Sequence, residues 1–247
     1  MFIIQKNKIE YITKLNKNML DICFSNNILN GVGLEEFKKV NCNFNQYYYF
    51  KNNNSNILGI AHLDTIQQDE WYFVNNNYLY SPLVDDRMGV YSLLYLLPKL
   101  GCNFDILLTT DEEYCNSSAQ FFHTDKQYNW MFQFDRMGND VVTYDYYNKD
   151  IYKTFDELNI KTNLGIYSDI CELEHLNCFG MNFGTGYYNN HNIDAYVDLK
   201  MFMKQILKFV KIYNQYKDIY LNTEFNIKNN FKYKYQFNNY RYVDNWL

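Results

Sequence analysis

The chain has 247 residues, 47% of them hydrophobic and 19% aromatic, with a net charge of -5. This length suits one large domain with a full core, and the composition excludes a disordered chain of the low-hydrophobicity, high-charge kind. The negative balance gives no general attraction for nucleic acid or an anionic membrane, so neither partner is expected. No apolar run approaches the roughly 20 residues of a membrane span. The start "MFIIQKNKIEYITKLNKNML" is charged where a secretory signal would be apolar, so a cytoplasmic protein is expected. Six cysteines without a CxxC pair are expected to be free thiols.

In chain order, residues 8–22 place Ile9, Ile12, Leu15, Leu20 and Ile22 at near-helical spacing. "YYYF" at 47–50 and "NILGIAH" at 56–62 predict strands joined across an asparagine-rich turn. A helix follows "DDRMG", with Val90, Leu93, Leu94 and Leu97 on one face, and is expected to stop at Pro98. "FDILLTT" at 104–110 and "WMFQFD" at 130–135 have the apolar character of buried strands, with a helix expected around "SSAQFF" between them. "DVVTYDYY" at 140–147 predicts another strand, 167–176 a helix capped by Ser168 or Asp169, and "CFGMNFG" at 178–184 a strand. Residues 194–217 predict a long helix burying Val197, Met201, Ile206, Phe209, Val210 and Tyr213. The alternation implies a three-layer α/β/α sandwich around a mixed, mostly parallel sheet. Residues 1–220 would form the domain. The extension 221–247, where Lys or Arg alternates with Tyr and Phe, is expected to pack on it as an edge hairpin; stacking on a nucleic-acid single strand is disfavoured by the net charge.

One pattern recurs where strands are expected to end. "AHLDTI" puts His62 and Asp64 two apart, hence on one side of the strand. "LVDDRMG" gives Asp85 and Asp86, "LLTTDEEY" gives Asp111, Glu112 and Glu113, "FQFDRMG" gives Asp135, and "GYYNNHNID" gives His191. Carboxyl ends of strands in open α/β sheets are where ligands are held. Several carboxylates gathered there repel one another unless a cation neutralises them. His123 and His175 lie outside the pattern and are read as structural or surface histidines. Gly184 and Gly186 in "FGTGYY" suggest a turn beside the site.

"HLD", "DDRMG", "DEE", the strand-ending "FD" and "GTGYYNNH" resemble, in their order, the motifs of the co-catalytic dizinc exopeptidases. That superfamily includes leucyl-type and TET-type aminopeptidases, peptidase T and related carboxypeptidases. The resemblance covers residues 56–198. It implies two divalent ions, zinc with Mn or Co as alternatives, one held by His62 and Asp135 and the other by Glu113 and His191, with Asp85 bridging. It further implies Glu112 as general base, Asp64 as the carboxylate orienting the His62 ring, and a cis bond between Asp85 and Asp86. The spans from His62 to Asp85 and from Asp135 to His191 are too short for the extra domains of the TET-type or peptidase T-type enzymes, so a single-domain, lidless version is expected. The implied activity is hydrolysis of small peptides or acylated amino acids by a two-metal activated water, with homo-oligomerisation open.

An aminopeptidase needs an acid for the substrate amine, for which Asp169 and Glu172 are candidates, and a carboxypeptidase needs a cation, for which Arg136 is. The aminopeptidase is favoured. The alternatives are N-deacylation or glutaminyl cyclisation on the same fold, the latter with a single zinc, and a binding protein that has lost turnover.

Overall fold

The computed structural model describes residues 15–25, 28, 36–43 and 45–223. Residues 8–14 of the predicted first helix and nearly all of the aromatic extension lie outside these residues.

The chain builds an eleven-stranded mixed sheet among the described residues. Its strands are β1 Lys38–Asn41, β2 Tyr47–Lys51, β3 Ile57–His62, β4 Phe73–Asn75, β5 Tyr78–Tyr80, β6 Asp105–Thr109, β7 Trp130–Met137, β8 Val141–Val142, β9 Thr162–Asn163, β10 Phe179–Tyr188 and β11 Tyr196–Asp198. The order is β1-β2-β6-β3-β7-β10-β11-β5-β4, with β8 paired to β10 and β9. The centre, β6-β3-β7-β10, is parallel, and both margins are antiparallel. From β3 the chain crosses to β6 on one side and then returns to β7 on the other. The sheet therefore has a switch point at β3, whose last residue is His62.

The parallel centre is buried on both faces, which is why β3 and β6 read as continuous apolar runs. The helices are α1 Lys17–Cys23, α2 Val84–Tyr91, α3 Lys149–Glu157 and α4 Leu199–Tyr216. On one face α2 and α4 cover Phe132, Phe134 and Phe183, with Phe209 of α4 at the centre of that aromatic cluster. A Cβ on Gly59 of β3 would lie 2.7 Å from Leu93 and 3.0 Å from Phe132, so glycine lets the helical layer approach the strand. On the other face lies a 3₁₀ segment, Asp169–Leu176, against β3, β7 and β10. The three-layer α/β/α expectation is met.

Several local expectations are corrected. The helix after "DDRMG" does not stop at Pro98. It widens into a π-helical turn, Ser92–Leu96, and Pro98 then sits in the final turn, Leu97–Lys99, where the wide turn accommodates a residue without an N–H. The span 167–176 is 3₁₀ and Ser168 does not cap it, because its hydroxyl is committed to Gln133. The segment around "SSAQFF" is a single 3₁₀ turn, Ser118–Phe121, capped by Ser117.

Of 140–147 only Val141–Val142 is strand, the chain turning at Tyr144 with φ 50°. "GTGYY" belongs to β10: a bulge absorbs Gly184, against which the Gly138 carbonyl packs, and Gly186 has φ 75°. The last helix begins at Leu199, capped by Asp198, since 196–198 is β11. Between His62 and Asp85 stands only the β4–β5 hairpin, turned through Asn76 at φ 53°.

Candidate metal centre

His62 ends β3 with its side chain fully buried. Its Nδ1 lies 3.0 Å from the main-chain carbonyl of Asp64 and 3.6 Å from Asp64 Oδ1, so the ring's hydrogen bond goes to the backbone of Asp64 rather than to its carboxylate. That bond places the proton on Nδ1 and turns the lone pair of Nε2 into the site. Nε2 faces Asp85 Oδ1 at 3.4 Å, Asp135 Oδ1 at 3.5 Å and Glu112 Oε2 at 3.7 Å.

The other oxygen of Asp85 looks the opposite way. Asp85 Oδ2 lies 3.2 Å from His191 Nε2, and that same nitrogen is 2.9 Å from Glu113 Oε2. The six side chains that the resemblance assigns as ligands or base thus meet in one place, where Asp85 turns one oxygen to each histidine and ligand atoms of His62, Asp85 and Glu113 lie within 4.8 Å of one another. His191 is held at the rim by Gln67, which donates to its carbonyl at 2.8 Å, and its side chain remains 45% exposed. Asp111 and His191 both have φ near 65°, a left-handed conformation rare outside glycine and concentrated at functional sites. The Asp85–Asp86 peptide bond is cis.

Six buried polar atoms among the described residues have no hydrogen-bond partner: His62 Nε2, Asp64 Oδ1, Asp86 Oδ2, Glu113 Oε1, and Nε and Nη1 of Arg87. They belong to the motif residues themselves. Buried groups of this kind are paired in folded proteins, so the orphaned imidazole and carboxylate atoms gathered around facing carboxylates mark a place built for a cation, whereas the two Arg87 atoms are donors and do not. Imidazole with carboxylate is a donor set for zinc, manganese or cobalt, and the residues present fit two such ions.

The protein's own charges tell the same story. Burial disfavours a charged His62 ring, yet Asp135, Asp64 and Asp85 override it and hold its pKa well above the usual range. Burial also opposes ionisation of Asp85, but hydrogen bonds from His191 and His62 hold it well below the carboxylate range. Burial, reinforced by Asp169, Asp85 and Glu113 and opposed by His62, pushes Glu112 up to about 8. Hydrogen bonds to Asp85 and Glu113 raise His191 to about 10 against the effect of burial.

Some residues had no expected part. Asp86 is fully buried, and its carboxylate, with His62 and Asp135, also forms a group whose ligand atoms lie within 4.8 Å. Its Oδ1 accepts from the N–H of Gly89 at 3.0 Å, so it is tied to α2. Asn190 donates to Asp85 Oδ2 at 3.2 Å. Tyr187, four residues before His191, is buried, with burial and then Asp85 holding its phenol well above the usual range. Of the two acids considered for a substrate amine, Asp169 is withdrawn: it is fully buried and accepts from Thr109, Ser117 and Gln133. Glu172 is half-buried and accepts from Tyr167 at 3.0 Å. His123 and His175 pack on each other, His175 bonded to the Phe122 carbonyl.

The fold is shared with solved peptidases. A tripeptidase from Staphylococcus aureus superposes with a TM-score of 0.55 at 10% identity, covering 87% of this chain and 100% of that one. The aminopeptidase PepT from Bacillus cereus gives a TM-score of 0.52 at 9% identity, covering 83% and 96%. The TET1 peptidase of Pyrococcus horikoshii gives 0.50 at 12%, covering 82% and 98%. No protein-family profile and no curated protein sequence matches the chain. These likenesses show a fold shared with those peptidases; at such identities the activity has to be argued from the residues.

Proposed function

We propose that this protein is a two-metal hydrolase of peptide bonds, an aminopeptidase acting on small peptides. The observation that carries this reading is the division of Asp85, with Oδ1 turned to His62 and Oδ2 to His191. On this reading His62, Asp85 and Asp135 would hold one divalent ion, and His191, Asp85 and Glu113 the other. Two ions held this way supply a water of lowered pKa and polarise the scissile carbonyl.

The chain's own contribution is proton transfer and orientation. Glu112, facing the cluster at 3.7 Å from His62 Nε2, takes the proton of the attacking water and returns it to the leaving amine. Asp64 holds the His62 ring through its carbonyl and the Glu113 turn through its carboxylate, which accepts from Glu113 N–H at 3.1 Å.

The preference for a free substrate amine follows from charge. Arg136, the candidate anchor for a substrate carboxylate, is engaged by both oxygens of Asp140 at 2.7 and 3.1 Å, and Arg87 is buried. Glu172 is the acid proposed to receive the amine. Self-association is part of the proposal, since the three-residue edge strand β4 exposes Phe73 and Val74, and the TET1 neighbour assembles into shells.

The test is metal content of protein purified without chelators, with hydrolysis of aminoacyl substrates carrying free or acetylated amines. Two equivalents and cleavage of the free-amine series alone are expected. Cleavage of the acetylated series instead would replace the aminopeptidase with a deacylase. Absence of metal binding after zinc is added back would overturn the reading.

A further inference from the structure

Gln133 is a polar residue at the centre of β7, fully buried between Phe132 and Phe134 and two positions before Asp135. Side chains two apart share a strand face, so its carboxamide lies beside the Asp135 carboxylate. A buried amide is costly unless every donor and acceptor is used. Here all are used. Nε2 donates to Asp135 Oδ2 at 3.1 Å and to Asp169 Oδ2 at 2.9 Å, while Oε1 accepts from Ser168 Oγ at 2.5 Å. The hydroxyl at one end and two carboxylates at the other fix which way the amide points.

Asp169 extends the connection. Its other oxygen, Oδ1, accepts from Thr109 at 2.8 Å, at the end of β6, and from Ser117. Ser117 lies three residues beyond the turn that carries Glu112 and Glu113, Glu112–Tyr114, and its own N–H donates to the Tyr167 hydroxyl at 2.9 Å. Asp135 is also held at its backbone, where its N–H donates to Asn182 Oδ1 at 3.0 Å and its carbonyl accepts from Asn182 Nδ2 at 3.1 Å. One buried network therefore spans the ends of β6 and β7, the acidic turn and the 3₁₀ segment.

We propose that Gln133, oriented by Ser168 and Asp169, is a positioning residue that occupies Asp135 Oδ2 and so presents Oδ1 alone to the half-site of His62. This rests on the two-metal reading above. It makes the half-sites unequal. Asp135 is locked before any ion arrives, whereas in the other half-site Glu113 Oε1 has no partner and His191 stands at the rim. Replacing Gln133 by leucine keeps the volume roughly the same but leaves two carboxylates facing each other across an apolar side chain.

The experiment is calorimetric titration of full-length, chelator-stripped protein with Co(II), followed in parallel by the visible Co(II) absorption bands. The wild type, Gln133→Leu, His191→Ala and the double variant are compared. Gln133→Leu is expected to weaken one of two binding events about 10–100-fold, the range for partners that orient metal ligands, and to leave the other within twofold. In the His191→Ala background, which retains only the His62 half-site, the single remaining event is expected to weaken by the same factor, with altered bands. Ser168→Ala, which removes the hydroxyl that donates to the amide and accepts from Asn182 Nδ2 at 3.3 Å, is expected to move the same event in the same direction, and serves if Gln133→Leu does not fold. Equal weakening of both events, or none in a folded variant that binds two ions, would overturn the positioning role and leave the two-metal reading standing. A wild type that binds no Co(II) would remove both.

Discussion

The carboxylate of Asp64 accepts the main-chain N–H of Glu113 at 3.1 Å, while its own carbonyl takes the Nδ1 side of His62. One residue thereby ties the last residue of β3 to the turn after β6, and so joins a proposed ligand of each ion. Asp64→Ala removes the carboxylate and keeps the carbonyl, so affinity for the ion on the Glu113 side is expected to fall by about 10-fold or more and that on the His62 side to be kept, with zinc binding by calorimetry as the measurement. Equal loss of both ions would show that the Asp64 carboxylate also orients the His62 ring.

Glu112→Gln keeps the size of the side chain and removes the base. Turnover is expected to fall about 10²–10⁴-fold with two equivalents of metal retained. If elemental analysis found the metal lost instead, Glu112 would be a ligand.

Asp85→Asn and His191→Ala should separate by stoichiometry. Asp85 faces both histidines and His191 faces only one half-site. The first variant is expected to lose both ions and the second to keep one. Equal losses would sink the bridging assignment.

The chelator-stripped protein should lose stability as pH rises. Glu112 is raised from the usual carboxylate range to about 8 in the fold, and His191 to about 10. Between their unfolded and folded values each binds more protons folded than unfolded, so each makes the slope of unfolding free energy against pH negative. Stability tied to Glu112 is present below about 4.5 and is lost up to about 8; that tied to His191 is present below about 6.5 and is lost up to about 10. Melting temperature is expected to fall from pH 5 to pH 9, and more gently in Glu112→Gln. A rise over that interval would contradict the directions assigned.

Phe209 lies at the centre of the aromatic cluster between α4 and the sheet, in contact with Trp130, Phe132, Phe134 and Phe183. Phe209→Ala is expected to cost about 3–5 kcal/mol in denaturant unfolding with metal stoichiometry unchanged. A change of stoichiometry would mean that the core behind the sheet is coupled to the site in front of it.

The parts of the fold that read clearly from sequence are those where one physical demand dominates. Burial on both faces makes "ILGIA" and "DILLT" unmistakably apolar, and the residue that ends each run marks the carboxyl edge of the sheet. Order along the chain then assembles His62, Asp85, Glu113, Asp135 and His191. What did not read clearly depends on pairing across distance. The valines and tyrosines of 140–147 have strand propensity, but Tyr144 adopts a left-handed turn and only Val141 and Val142 find a partner strand. The glycines of "GTGYY" read as a turn, yet β10 runs through them because the bulge lets the Gly138 backbone pack against Gly184. Asp169 read as a helix cap or an acid for the substrate amine because nothing nearby in sequence announces Thr109, Ser117 or Gln133. The one available signal was Gln133 itself, an amide among phenylalanines on the same face as Asp135.

The hairpin between His62 and Asp85 leaves His191 at an open rim while His62 is sealed beneath the sheet edge. The two ions would then differ in lifetime as well as in affinity, the outer one exchanging with solvent and the inner one released only when the protein breathes. A brief wash with chelator would produce a uniform one-metal form, and the order in which activity and metal disappear would reveal which ion the reaction needs first.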